Sequence, residues 1–383
     1  MKIAYFVPDY TKPGGIERYV RQLARGLAER ADIHVFTGVV PEDEPSKIVF
    51  HKVPMMRKPF FMQLFTFSHN VTNMILRSEP EFDILHNQGA NARIQDVITA
   101  HSCHAAWVAH SRGIGIKEQV KKTLNPLHHV LLANEKYNYY PGRYKKIIAV
   151  SQNVKDELVR YHNLPSDDIT ALIPGVDISE FSPDKCSSIR NECRKRFGLT
   201  PEDKVVLLVA NEFRRKGVGE AITALSLIGD SALKLYVVGE GDNGYYKLLA
   251  RRCGVDKQVR FVNQTNRIVE YYSSADIFVL PTKYEPTGLV VLEAMACGLP
   301  VIISRVAGTS FLVKNENGLV LEDAYDSHEL AAKIKALVYN NAVRESARRL
   351  SREKVVKYEW QNIVEDTYKI YVEAYEMKKR NSR

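Results

Sequence analysis

The sequence predicts an α/β protein of two doubly wound domains, each a parallel sheet covered by helices. Three observations predict it. The chain has 383 residues, more than one hydrophobic core usually organises. Short β-branched runs alternate with amphipathic helical stretches over nearly the whole length, the pattern of repeated βαβ units. A turn-rich break, Pro174-Gly175-Val176-Asp177, divides that alternation into two series.

The elements follow in order. Residues 3–7 read as a first strand that Pro8 and Asp9 stop. Residues 16–30 read as a helix with Val20, Leu23, Ala24 and Leu27 on one face. Strands are then expected at 33–37, 83–86, 97–100 and 146–150, a helix after Ser151 to about Tyr161, and a strand at 170–173. The second series begins at Lys204-Val205-Val206-Leu207-Leu208-Val209 and continues with strands at 233–238, 259–262, 277–280, 301–303 and 318–321. A long amphipathic stretch, about 360–379, ends in a basic tail. The expected domains are 1–175 and 176–359, with the helix of 360–383 packing back on the first. Two such domains facing across a cleft would hold ligand at the carboxyl ends of their strands.

Apolar residues make up 45% and charged residues 26%, which excludes a disordered or fibrous chain. The net charge of +9 suggests an anionic partner: phosphate, an acidic membrane surface or nucleic acid. Five cysteines without a C-x-x-C pair fit reduced thiols in a cytoplasmic protein. The apolar start is too short for a signal peptide, and no run of about 18 apolar residues is present to span a membrane. Lying on the inner face of the cytoplasmic membrane remains open to such a chain.

The chemistry concentrates at strand ends. Glu285-Pro286-Thr287-Gly288-Leu289-Val290-Val291-Leu292-Glu293 follows the strand of 277–280. Pro286 suits a first helical turn, and the free N–H groups of Thr287, Gly288, Leu289 and Val290 suit a phosphate. Glu285, ahead of that end, can accept hydrogen bonds from sugar hydroxyls, and Glu293, two turns in, from a ribose. In Asn211-Glu212-Phe213-Arg214-Arg215-Lys216-Gly217, the cations can pair with a diphosphate. Gly14 and Gly15 let a ligand approach the backbone at a helix N-terminus.

The chain resembles the retaining glycosyltransferases of family 4, which have the two-Rossmann-domain GT-B architecture, and is similar to lipopolysaccharide core glucosyltransferases. The resemblance rests on Glu285 and Glu293 with seven residues between them, Ala294-Met295-Ala296-Cys297-Gly298-Leu299-Pro300-Val301-Ile302, Ile148-Ala149-Val150-Ser151, and Ile173-Pro174-Gly175-Val176-Asp177 through Phe181. It implies a hexosyl transfer from a nucleoside-diphosphate sugar, UDP-linked by analogy, to a glycan or lipid-linked acceptor of the cell envelope. It implies that Glu285 faces the donor sugar and Glu293 holds the ribose. Lys216, with Arg214 or Arg215, binds the diphosphate, and Gly14 and Gly15 lie against it. His101, after the strand of 97–100, donates to a sugar hydroxyl. Asn263 and Arg267 line the base pocket. A related GT-B enzyme such as a nucleotide-sugar epimerase or a glycan phosphorylase is the nearest alternative.

No cofactor is expected beyond the donor substrate. His101, Cys103 and His104 are too close together in sequence to close a metal site alone. Fixed cations are expected to replace a metal ion, and nucleic acid is not expected as a partner because no known nucleic-acid motif is present. Two stretches, residues 57–65 and 112–146, mix cations with aromatics in a way that suits an anionic lipid interface.

Overall fold

The computed structural model describes residues 1–383 except 13, 46, 79, 80, 112–124, 382 and 383. The chain forms two compact units, one of Met1–Gly175 with Trp360–Arg383, the other of Val176–Glu359. The part of the stretch 112–146 that carries Lys117, Lys121 and Lys122 lies outside the described residues. Among the described residues no helix is long and apolar enough to cross a membrane.

The first unit is built on seven parallel strands: β1 (Lys2–Phe6), β2 (Asp32–Thr37), β3 (Ile48–Lys52), β4 (Ile84–Gln88), β5 (Val97–Ala100), β6 (Lys146–Ala149) and β7 (Ile169–Ala171). Their order is β3-β2-β1-β4-β5-β6-β7. Burial on both faces explains the runs of apolar residues at these strands: Ile3, Ala4, Tyr5 and Phe6 are all fully buried. The helices are α1 (Gly15–Leu27), α2 (Phe60–Leu76), α3 (His104–Ser111), α4 (Pro126–Asn138), α5 (Gln152–His162) and the last helix of the chain, Trp360–Asn381. The Ser151 hydroxyl caps α5 by accepting from the Val154 N–H at 3.2 Å, so the helix starts directly after Ser151, as the sequence suggests. The terminal helix packs on α1, and its Tyr371 hydroxyl meets that of Tyr5 at 2.7 Å.

Strand β3 is not among the strands expected from the sequence. It lies at the sheet edge, with Val49 and Lys52 exposed, so its pattern lacks the continuous apolar run of the central strands.

The second unit has six parallel strands: β8 (Lys204–Val209), β9 (Leu233–Val238), β10 (Val259–Val262), β11 (Ile277–Leu280), β12 (Val301–Ser304) and β13 (Gly318–Leu321). Helices α6 (Pro183–Arg196), α7 (Val218–Ile228), α8 (Asn243–Arg252), α9 (Ile268–Ser274), α10 (Leu289–Ala296), α11 (Ser327–Val338) and α12 (Asn341–Val355) complete it. Val206, Leu208, Ile222, Leu235, Ile277 and Val279 lie at the heart of its core. The strand order is β10-β9-β8-β11-β12-β13. From β8 the chain proceeds to β9 on one side, and from β11 to β12 on the other. The loops after β8 and β11 therefore leave neighbouring strands in opposite directions, which is where a doubly wound sheet opens a crevice.

Candidate active site

The β8–α7 loop brings its cations to the sheet edge by a tight path. Glu212 adopts a left-handed conformation (φ 57°), and its carbonyl accepts from the N–H of Arg215 at 2.9 Å and of Lys216 at 3.2 Å. Phe213 is buried against Tyr246 and Phe261 and anchors the loop. Gly217 has φ 76°, and a Cβ there would overlap the Pro281 carbonyl oxygen. Only glycine lets the end of this loop lie against the end of β11.

The loop after β11 is laced to that backbone. The Arg215 carbonyl accepts from the Lys283 N–H at 2.8 Å and the Thr282 hydroxyl at 3.2 Å. Arg215 donates back to the Tyr284 carbonyl at 2.5 Å and reaches the Glu212 carboxylate at 3.0 Å. The result is a charged cluster around Glu285. The Lys216 ammonium forms an ion pair with the Glu285 carboxylate, and Arg215 Nη1 lies 3.7 Å from the same oxygen. Lys216 and Glu285 are each only 9% exposed. Arg214 is exposed. Of the two arginines proposed from the sequence, Arg215 is therefore the one beside Lys216 and Glu285.

Burial pulls the Lys216 ammonium from its ordinary value down to about 7, the Arg215 guanidinium adds to the effect, and Glu212 opposes it. The Glu285 carboxylate in contact favours the charged form. An anion at this place would favour it further. A diphosphate can thus take the two cations and release Glu285 to accept from neutral hydroxyls.

Helix α10 starts next to this cluster. Gly288 is its N-cap with φ 93°, a conformation in which residues with a Cβ are strained. No side chain caps the helix, so the first N–H groups, those of Leu289 and Val290 among them, are left for a ligand. Thr287 is buried beside them. The Glu285 carbonyl accepts from the Gly308 N–H at 2.9 Å, which ties the loop to the segment after β12. Glu293 is buried in the second turn of α10, and its carboxylate accepts from the Tyr272 hydroxyl at 2.8 Å. Tyr272, on α9, was not singled out from the sequence. It lies 21 residues away in no recognisable motif, and only the packing of α9 brings it to Glu293.

Asn263 and Arg267 are exposed, after β10. Arg267 is held by Glu270, with Nε at 2.7 Å and Nη2 at 2.6 Å. The guanidinium is therefore oriented by its own helix.

Gly14, Gly15 and His101 belong to the first unit. Gly14 is the N-cap of α1 and Gly15 its first residue. Glu17 folds back over this end, in the space a Cβ on Gly14 would fill, and its burial raises the carboxyl above the usual range. Glu17 is half-buried at the helix N-terminus.

His101 sits at the end of a buried hydrogen-bond chain. Its Nε2 lies 3.0 Å from Gln88 Oε1. The Gln88 amide nitrogen lies 3.1 and 3.3 Å from the ring nitrogens of His86. His86 in turn meets the Tyr371 hydroxyl at 2.6 Å and the Thr99 hydroxyl at 2.7 Å. Burial lowers His101 to about 3, so the imidazole is neutral and carries one N–H. The network assigns that proton to Nε2, donating to Gln88, and leaves Nδ1 as an acceptor. With Nε2–H donating to Gln88, Nδ1 is the ring nitrogen left to meet a hydroxyl. His86 is fully buried with both nitrogens engaged, a structural role.

Among the described residues one trio has metal-ligand spacing, Cys103, Glu135 and His162. Cys103 does not group with His101 and His104 there. Burial, with Glu135 acting the same way, pushes its thiol up to about 12. Glu135 accepts from the N–H groups of His104 and Ala105 at 2.6 and 3.1 Å and from His162 at 3.2 Å. That set is a helix cap. The five cysteines are free.

Comparison with known proteins bears on the family and the fold. The model of the family "Glycosyltransferase Family 4" matches residues 13–180, and that of "Glycosyl transferases group 1" matches residues 189–354. An uncharacterized glycosyltransferase of Methanocaldococcus jannaschii is 26% identical over 98% of this chain and 99% of its own length. The lipopolysaccharide glucosyltransferase WaaG of Escherichia coli is 22% identical over 90% of this chain and 91% of its own. The crystal structure of WaaG superposes with a TM-score of 0.83 at 21% identity, over 96% of this chain and 99% of that one. Anabaena HepE in complex with UDP-glucose superposes with a TM-score of 0.75 at 18% identity, over 97% of this chain and 99% of that one.

Proposed function

The chain belongs to the family-4 glycosyltransferases of GT-B fold, which act on nucleotide-sugar donors, and we propose that it is a retaining enzyme moving a hexosyl unit from a UDP-sugar to a glycan or lipid-linked acceptor of the cell envelope. The observation that carries this reading is the cluster of Lys216, Arg215 and Glu285 at the uncapped start of α10, with Glu293 two turns along the same helix. In this assignment Lys216, Arg215 and the N–H groups of α10 hold the diphosphate. Glu285 accepts from the sugar hydroxyls, and Glu293, oriented by Tyr272, accepts from the ribose.

The cluster offers Glu285 as the sole nucleophile candidate, and its ion pairs suit a positioning role better. We therefore favour front-side attack. The bond from the anomeric carbon to the diphosphate breaks as the acceptor oxygen bonds to the same face, and the acceptor proton passes to the departing phosphate oxygen. Fixed cations stabilise the leaving diphosphate, so the reaction is expected to proceed without a metal ion. We place the enzyme on the cytoplasmic side of the membrane, where nucleotide sugars are made.

A donor screen tests the reading. Thermal shift and nucleotide-sugar hydrolysis are measured across UDP-, GDP- and ADP-linked hexoses, with Glu293→Ala as control. A UDP-sugar should give both shift and turnover, retained in EDTA and lost in the variant. No response to any donor, or turnover that EDTA abolishes and manganese restores, would contradict it.

A further inference from the structure

We propose that the start of α2 docks the first unit onto a bilayer that contains anionic lipid. Every residue from Met56 to Phe61 is exposed. Within and just after this run Met56, Phe60, Phe61 and Phe65 are 49%, 53%, 46% and 57% exposed. Phe61 and Phe65 are one helical turn apart. The opposite face of the helix is firmly held, since Phe67, Val71 and Ile75 pack in a core with Ala4, Phe6 and Phe36. Phe60, Phe61 and Phe65 thus stay about half-exposed outside that core, and clustered apolar surface of this kind marks an interaction site.

Charge points to the occupant. From residue 45 to residue 78 the sequence has no Asp or Glu, while it carries Lys47, Lys52, Arg57, Lys58 and Arg77. Arg57 and Lys58 are exposed, and among the described residues neither pairs with a carboxylate. They precede the N-terminus of α2, whose first turn holds no acidic residue. The helix dipole disfavours cations at that end, and water disfavours the phenylalanines. An anionic bilayer surface offsets both, taking the cations at the headgroups and the rings at the acyl boundary. A second copy of the chain fits less well, because a two-fold contact through this patch would bring its cations face to face.

The inference deepens the envelope-acceptor reading above, and its test uses no sugar donor, so either can fail alone. The full chain is floated with vesicles of phosphatidylcholine and phosphatidylglycerol (two to one) and with vesicles of phosphatidylcholine alone. Binding should be strong only to the anionic vesicles and should fall with salt. Arg57→Ser and Lys58→Ser should each lower the partition coefficient about fivefold, the equivalent of about 1 kcal/mol per cation near the surface. The triple variant Phe60→Ser/Phe61→Ser/Phe65→Ser should lower it at least tenfold. Melting temperature and UDP affinity should stay at the wild-type values. Equal flotation of the triple variant, no flotation of the wild type, or a wild-type dimer that the triple variant converts to monomer would each overturn the proposal.

Discussion

UDP binding should weaken as pH rises above 7, and Lys216→Arg should remove that dependence. The free protein holds Lys216 buried, with its ammonium lowered to about 7. The sign follows from linkage. A lysine lowered in the free protein and restored to the charged form by a bound diphosphate takes up a proton on binding, so binding weakens with pH. Above the free-state value the loss approaches tenfold per pH unit, which gives roughly fifteenfold between pH 7 and 8.5. The window must start near 7, since the second phosphate ionisation of the nucleotide lies near pH 6. Arginine stays charged throughout and should give a flat profile, whatever its absolute affinity. Isothermal titration in buffers of different ionisation enthalpy reads the proton directly. The wild type should take up nearly one proton per UDP at pH 8.5, and Lys216→Arg none. Identical pH slopes in the two proteins, or proton release by the wild type, would refute the assignment of Lys216 to the diphosphate.

Other consequences are as specific. Tyr272→Phe removes the 2.8 Å hydrogen bond that orients Glu293. UDP affinity should drop about tenfold, from the roughly 1.5 kcal/mol of a hydrogen bond to a charged group, while affinity for inorganic pyrophosphate stays unchanged in the same titration. Gly217→Ala places a Cβ against the Pro281 carbonyl. It should cost about 3 kcal/mol and lower the melting temperature of the second unit by about 6–12 °C in calorimetry, the combined effect of a left-handed backbone and overlap. Gln88→Leu removes the acceptor of the His101 Nε2–H. Nitrogen-15 NMR of the imidazole should then show loss of the single Nε2–H tautomer, whereas an unchanged tautomer would mean that Gln88 does not set it.

Much of this was legible in the sequence because parallel strands buried on both faces write themselves as apolar runs. The runs at 204–209 and 277–280 could be found this way, and the motifs after them with the same confidence of position. Their adjacency could not: that Lys216 meets Glu285 follows from β8 pairing with β11, a property of the sheet order. The choice between Arg214 and Arg215 was equally closed to sequence, because it depends on the turn that Glu212 makes at φ 57°. His101 lies after a strand as expected, but its hydrogen bond to Gln88 depends on β5 pairing with β4, a property of the sheet order. Strand β3 stayed hidden because its apolar run, Ile48-Val49-Phe50, is only three residues long and a run that short is a weak signal.

The central claim, that this is a retaining transfer from a nucleoside-diphosphate hexose held by Lys216, Glu285 and Glu293, is tested most directly by the first anomer released. Proton NMR can follow UDP-glucose hydrolysis by the full chain faster than the free sugar mutarotates. Net retention predicts that α-glucose appears first, with no signal from Glu293→Ala. Release of β-glucose first would contradict the account.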